Sequence, residues 1–281
     1  MASISDIKLL ASLANIPINE PIPTSKLTIA LSQPPFIALP GSMNIRDLGT
    51  FAPGYVKPLS VFRSGRLDSI PESSRSLLRS QLQLSHIFDF RYPEEATSAL
   101  CEIDGINLVS CPADVRLEHS PASFTDLVEE HNRVRTFLNR TSFKRIFEAL
   151  KVAKEGQAVL FHCTGGKDRT GVMAALILDL MGAPAQVIAD EYALTRIGIE
   201  PFREELLHEA VRHFAAKLGQ PELNVDTPGV CEMLGSSSAS MIAFVKHLRE
   251  DLDGAEGYLR KSLGFSEHDV EAIRQNLRPS S

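Results

Sequence analysis

Cysteine is scarce in this chain: Cys101, Cys111, Cys163 and Cys231 are scattered over 281 residues with no Cys-x-x-Cys pair. That argues against a disulfide framework or a paired-cysteine zinc site, and it suits a reducing compartment. Positive charge is in deficit, with a formal net charge of -6. Neither nucleic acid nor an anionic membrane is therefore expected as a partner, although a summed charge says nothing of local patches. Long apolar runs are missing too. The longest, residues 171–183, is interrupted by Asp179 and is too short to cross a bilayer. The opening residues, MASISDIKLLASLA, lack the basic start of a secretory leader. A soluble, cytoplasmic protein without a transmembrane segment is expected. Internal repeats and long low-complexity stretches are also lacking. What remains is a hydrophobic fraction of 43%, enough to bury a sizeable core.

Residues 1–14 carry a helical pattern, and the proline-rich stretch 16–40 reads as an extended lead-in. The domain boundary is drawn there: 1–35 as an N-terminal extension, 36–281 as one catalytic domain. From Phe36 onward short apolar runs alternate with one-face helical patterns. Strands are expected at 36–39, 61–63, 86–90, 106–110 and 158–161. Helices are expected at 73–84, from Pro93 to about Leu100, within 123–138, and from Thr141 to near Gly156. Residues 170–181 are apolar nearly all round, which marks a buried helix, stopped by Gly182 and Pro184. Further helices follow at 185–195, 202–218 and 241–252, and Ser266 with Asp269 forms a capping-box-like start to a last one. This alternation predicts an α/β fold: a central, largely parallel sheet flanked by helices, with additional helices at the C-terminal end.

The stretch FHCTGGKDRTG, residues 161–171, lies between the last strand and the buried helix. Cys163 and Arg169 bracket five residues. A loop wrapped at a helix N-terminus turns backbone N–H groups toward an anion, at the positive end of the helix dipole. Gly165 and Gly166 let the backbone curl closely. Arg169 supplies a planar fork matched to two phosphate oxygens. Helix N-termini and nearby cations also favour the thiolate of a cysteine. An anion site with a thiolate at its base implies attack on phosphorus and a cysteinyl-phosphate intermediate. Thr164, Gly165, Gly166, Lys167, Arg169 and Thr170 are the candidate substrate-binding residues. Thr170 is suited to bond the sulfur, and Lys167 to meet a second phosphate or an acidic peptide. His162 and Asp89 are candidate supports outside the loop. Cys101, Cys111 and Cys231 are read as inert.

HCTGGKDRTG resembles the His-Cys-five residues-Arg-Ser/Thr-Gly signature of the cysteine-dependent protein tyrosine phosphatases. Its Gly-Lys-Asp-Arg-Thr-Gly ending is similar to the microbial and fungal tyrosine/serine branch, which includes dual- and lipid-specific members. NIRDLGT at 44–50, FRSGRL at 62–67, FDFRYPEE at 88–95 and DEYALT at 190–195 add to the likeness, as do the last helices. The resemblance spans roughly 36–277. It implies a phosphomonoesterase acting on phosphotyrosine, with phosphoserine or phosphothreonine in addition, and no cofactor or metal. It also calls for a general acid, and three aspartates compete: Asp168 inside the loop, Asp114 in SCPADV, and Asp89, which is given mainly a supporting role. Two other functions stay open, a phosphatase of phosphoinositides or small metabolites and a non-catalytic phosphate-binding module. Intact Cys163 and Arg169 count against the latter. Outside the loop, Arg46 and Asp47 are read as a loop-fixing pair, Arg63 and Arg66 as exposed arginines, and Asp190 and Tyr192 as either bracing the loop or simply packing.

Overall fold

A computed structural model describes residues 4–96, 102–112 and 140–279. The expected helix within 123–138, the far end of the one after Pro93, and Asp114 lie outside the described residues. Among the described residues five strands form one sheet: β1 (Arg46–Asp47), β2 (Val61–Ser64), β3 (Leu84–Asp89), β4 (Asn107–Ser110) and β5 (Ala158–His162), in the order β1-β2-β5-β3-β4. Only β1 runs antiparallel to its neighbour. Central β5 is buried along its whole length, as expected of a parallel strand covered on both faces.

The pleat sends alternate side chains of β5 into two cores. Val159 and Phe161 join the larger one, with Phe88, Phe143, Phe147, Leu176 and Phe244. Ala158 and Leu160 face the smaller one, with Phe62, Leu78, Leu84 and Ile87. Each such fully buried leucine or phenylalanine contributes ~1.5–3 kcal/mol by leaving water. The helix after the loop, Asp168–Leu180, runs through the larger core. It begins two residues before its expected start, so Asp168 and Arg169 belong to its first turn.

Strand register decides what meets at the functional edge. Ser64 pairs with His162, and His162 pairs with Asp89. The segments FRSGRL, HCTGGKDRTG and FDFRYPEE therefore leave the sheet side by side, at the carboxyl ends of parallel strands where open α/β sheets bind ligands.

Three expectations are corrected. The helix expected from Pro93 is a single 3-10 turn, Pro93–Glu95, with Ala96 already in extended backbone. Residues 16–40 are not simply extended: Thr24–Leu31 is a helix, with Pro23 at its cap. Its prolines flank the helix on both sides rather than interrupt it, and Ala30 with Leu27 and Leu31 supplies an apolar face for Leu194 and Ile197. The expected strand at 36–39 is reduced to a single antiparallel bridge, Phe36 to Arg46, with the Ile37 N–H on the Ile45 carbonyl. Pro40 follows closely and cannot donate to a ladder. At the other end, Ser266 and Asp269 do form the reciprocal cap of helix Glu267–Leu277.

Candidate active site

The loop between β5 and its helix is held from outside. Gly166 has φ +65°, and a Cβ there would lie 2.4 Å from the Ser64 carbonyl oxygen, so only glycine fits. The Arg66 N–H donates to the Thr164 carbonyl at 2.9 Å, and the Gly65 N–H to that of Met43 at 2.8 Å. Asn44 Nδ2 donates to the carbonyls of Gly165 and Gly166 at 3.1 and 3.0 Å. Gly165 carries no such crowding: a Cβ there would meet nothing within 4 Å.

Cys163 is buried, and the Thr170 hydroxyl donates to its Sγ at 3.2 Å. Arg169 reaches back over the loop. Its Nη1 donates to the Phe90 carbonyl at 2.9 Å and to Glu95 Oε2 at 2.7 Å, and its Nη2 to Glu95 Oε1 at 2.6 Å. Of the five N–H groups of a guanidinium, these contacts engage three. The edge formed by Nε and the second Nη2 hydrogen keeps a bidentate face for an anion. The Tyr92 ring lies 5.8 Å from the guanidinium carbon.

Glu95 is not among the site residues expected from the sequence, although it closes the FDFRYPEE segment. It ends the short 3-10 turn Pro93–Glu95, and its carboxylate also accepts the Tyr92 N–H at 2.7 Å and the Thr164 hydroxyl at 3.1 Å. Burial pushes this carboxyl up, but the hydrogen bonds and charge of Arg169 outweigh it and hold Glu95 below the usual range. For Arg169 burial works downward, and Glu95, then Cys163 and Asp168, raise it further above its ordinary value. The signal in the sequence was an acidic pair following FDFRYP, with nothing in it to say which arginine it would meet.

The remaining predicted residues fall into two groups. His162 is fully buried, with Nδ1 3.4 Å from the Cys163 carbonyl and Nε2 3.7 Å from Asp89 Oδ2. Burial pushes its pKa below the ordinary 6.5, so it is neutral at neutral pH. Asp89 accepts from the Arg91 backbone and side chain, and Arg91 is forked onto Asp68 at 2.6 and 2.8 Å. Burial raises Asp89, but His162 and Arg91 together leave it below its usual value. Asp168 is partly exposed beside Lys167, with Oδ1 3.4 Å from Nζ. Lys167 itself is buried, and its ammonium donates to the carbonyls of Met233 and Gly235. The expected substrate cation is thus bonded to the segment leading into helix Ser238–Leu252.

The arginines outside the loop are also placed differently from the sequence reading. Arg46 does not pair with Asp47; it donates to Glu191 Oε1 at 2.6 Å. Asp47 instead accepts the N–H groups of Gly49 and Leu59 at 2.9 Å. Arg63, read as exposed, has no exposed surface and lies 2.5 Å from Glu191 Oε2. Burial first, then the second guanidinium of Arg63, pull Arg46 down to about 9. Arg66 is mostly covered and bonds Glu205 and Glu209. Asp190 faces outward onto Gln186, while the Tyr192 ring abuts Gly171.

These shifts predict acid sensitivity. Below pH 6.5 the unfolded chain protonates His162 while the folded chain resists, so stability should fall as pH drops toward the depressed His162 value. A further fall is expected below about 4.5, where unfolded Glu95 gains a proton before the folded residue does. Thermal unfolding measured from pH 8 to 4 checks this; a flat Tm over that range contradicts it.

The chain belongs to the tyrosine phosphatase family, which it matches over residues 37–279. It is 34% identical to a tyrosine-protein phosphatase of Nostoc commune over 139 residues, covering 50% of this chain and 45% of that protein. The chain thus spans about half the length of that relative. It is 26% identical to the triple specificity protein phosphatase PtpB of Mycobacterium tuberculosis over 270 aligned positions, covering 84% of this chain and 96% of the other. Among solved structures, the core catalytic domain of the PP-IP phosphatase SIW14 from S. cerevisiae overlays with a TM-score of 0.32 at 21% identity, covering 58% of this chain and 91% of that one. Among the described residues no helix is long and apolar enough to cross a membrane.

Proposed function

We propose that this chain hydrolyses phosphomonoesters through a cysteinyl-phosphate intermediate, with phosphotyrosine in proteins as the leading substrate. The observation that carries the reading is the Thr170 hydroxyl on Cys163 Sγ at 3.2 Å, in the first turn of the helix that also presents Arg169. A nucleophile, a hydroxyl that can stabilise it on departure and a fork for two phosphate oxygens are then within one loop. In the first step the sulfur attacks phosphorus, the S–P bond forms, and the P–O bond breaks as the leaving oxygen takes a proton from an acid. In the second, water attacks phosphorus and gives a proton to the conjugate base of that acid, the S–P bond breaks, and phosphate leaves as the thiolate returns. The Mycobacterium relative's description as a triple specificity phosphatase supports testing phosphoserine and phosphothreonine as well. A cytoplasmic location, and a catalytic domain of residues 36–281 after an extension of 1–35, go with this reading. The three described cysteines are free thiols.

A panel of phosphotyrosine peptides, phosphoserine peptides, phosphoinositides and metabolite phosphates, with Cys163→Ser as the blank, tests this. Phosphate release above the blank from phosphotyrosine peptides supports the reading. Release only from the lipids or metabolites moves the substrate class, and no release from any member overturns it.

Asp168 is the proposed acid among the described residues. Asp168→Asn should lower kcat by ~10²-fold on phenyl phosphate, whose leaving group needs a proton, and much less on p-nitrophenyl phosphate. Equal losses on both would remove Asp168 from proton transfer and return the role to Asp114.

A further inference from the structure

Three segments far apart in the chain meet beneath the loop. NIRD brings Asn44 and Arg46, FRSG brings Arg63, and DEYALT brings Glu191. Glu191 accepts from Arg46 Nε on one oxygen and from Arg63 Nη1 on the other, at 2.6 and 2.5 Å, and all three side chains are almost completely buried. Arg46 also donates through Nη2 to the Glu191 carbonyl and the Thr195 hydroxyl, both at 3.1 Å. Two guanidiniums around one carboxylate, out of water, is a costly arrangement that an apolar core could often replace without loss of stability. Packing alone is therefore a weak reason for it.

Two of the remaining donors, Arg63 Nη2 and Asn44 Nδ2, reach the loop. Arg63 Nη2 donates to the Gly166 carbonyl at 2.6 Å. Asn44 Nδ2 reaches the carbonyls of both Gly165 and Gly166, while its Oδ1 accepts from Arg46 Nη1. Asn44 itself sits at φ +56°, with its N–H on the Gly198 carbonyl at 3.1 Å. So Arg46 orients Asn44, Glu191 orients Arg63, and both donors end on two adjacent carbonyls of the loop. In a trans peptide the C=O and N–H point in opposite directions. Holding these carbonyls on the outside sends the N–H groups of Gly166 and Lys167 the other way, into the loop. Gly165 and Gly166 have little steric preference of their own to stop either peptide from turning over. A turned peptide would present an oxygen to the anion in place of a donor.

We propose that Asn44 and Arg63, locked by the Arg46–Glu191 pair, are positioning residues that keep the Gly165–Gly166 and Gly166–Lys167 peptides from flipping and so hold the loop's N–H groups on the phosphoryl group. The proposal rests on the phosphatase reading for its meaning in catalysis, but anion binding tests it without turnover.

The experiment measures inorganic phosphate binding by calorimetry, together with kcat, KM and Tm, in the full chain. Arg63→Lys keeps the positive charge but cannot reach Glu191 and Gly166 together. Asn44→Gly keeps the left-handed backbone and removes the amide. Each should weaken phosphate binding by ~10-fold or more and lower kcat/KM on p-nitrophenyl phosphate by about 10²-fold, in samples that remain folded at the assay temperature. Folded variants that bind phosphate within twofold of the unaltered chain, whatever their Tm, overturn the proposal. So does recovery of both variants unfolded, which would assign the network to fold stability. If the unaltered chain binds phosphate but releases none from p-nitrophenyl phosphate, the phosphatase reading fails while the binding comparison still decides the positioning role.

Discussion

Replacing Cys163 by serine is expected to lower turnover of p-nitrophenyl phosphate by on the order of 10⁴-fold or more, while inorganic phosphate still binds. Such a loss is equivalent to about 5 kcal/mol of transition-state stabilisation. The separation of the two effects follows from the site. Serine is close to cysteine in size, and the Thr170 hydroxyl that bonds Sγ can bond Oγ instead. The backbone donors and the free edge of Arg169 are untouched, so the anion keeps its partners. What disappears is the nucleophile, since a serine hydroxyl with no base beside it stays protonated at neutral pH. Release of p-nitrophenolate, paired with calorimetry of phosphate, measures both. Turnover within tenfold of the unaltered chain would remove Cys163 from the reaction.

Arg169→Lys is expected to cost ~10²–10³-fold in kcat/KM. An ammonium is a point charge and cannot present two parallel N–H groups to a phosphate. Nor can it keep both oxygens of Glu95 and the Phe90 carbonyl, now held at 2.6–2.9 Å. A second consequence separates this from a simple loss of charge. The Arg169 hydrogen bonds and charge are the main influences that hold Glu95 below its ordinary range against burial. With the fork gone, burial is left unopposed and its carboxyl should titrate higher, so the fall in stability that Glu95 causes below about 4.5 in the unaltered chain should shrink or reverse in the variant. Kinetics at pH 7 and a thermal series from pH 8 to 4 read the two effects. Near-native kcat/KM would show that the fork is dispensable.

Both predictions concern residues that are close in sequence, and that closeness explains why they were legible. The strand Ala158–His162, the loop and the buried helix Asp168–Leu180 are contiguous. Their apolar pattern, paired glycines and Cys–Arg spacing belong to one window. The reciprocal cap of Ser266 and Asp269 was readable for the same reason. Helix Thr24–Leu31 was not, because eight residues behind a run of prolines carry little period, and its apolar face is completed only by Leu194 and Ile197. Lys167 shows the limit inside the motif itself. Its place in an anion loop suggested a substrate contact, whereas its ammonium bonds the carbonyls of Met233 and Gly235, the latter 68 positions away.

By itself, then, the sequence determined the strand–loop–helix unit and the placing of Cys163 and Arg169 at the two ends of its loop, since these follow from adjacent residues. Tertiary structure alone decided what holds them. Glu95 meets Arg169 across 74 positions, and Glu191 meets Arg46 across 145. Both meetings depend on how the segments are brought together. The alignment of Ser64, His162 and Asp89 across three parallel strands sets which loops leave the sheet together. A single-residue shift of that register would turn the side chains to opposite faces. An arginine's type says that it can fork a carboxylate; only the packed sheet says which one.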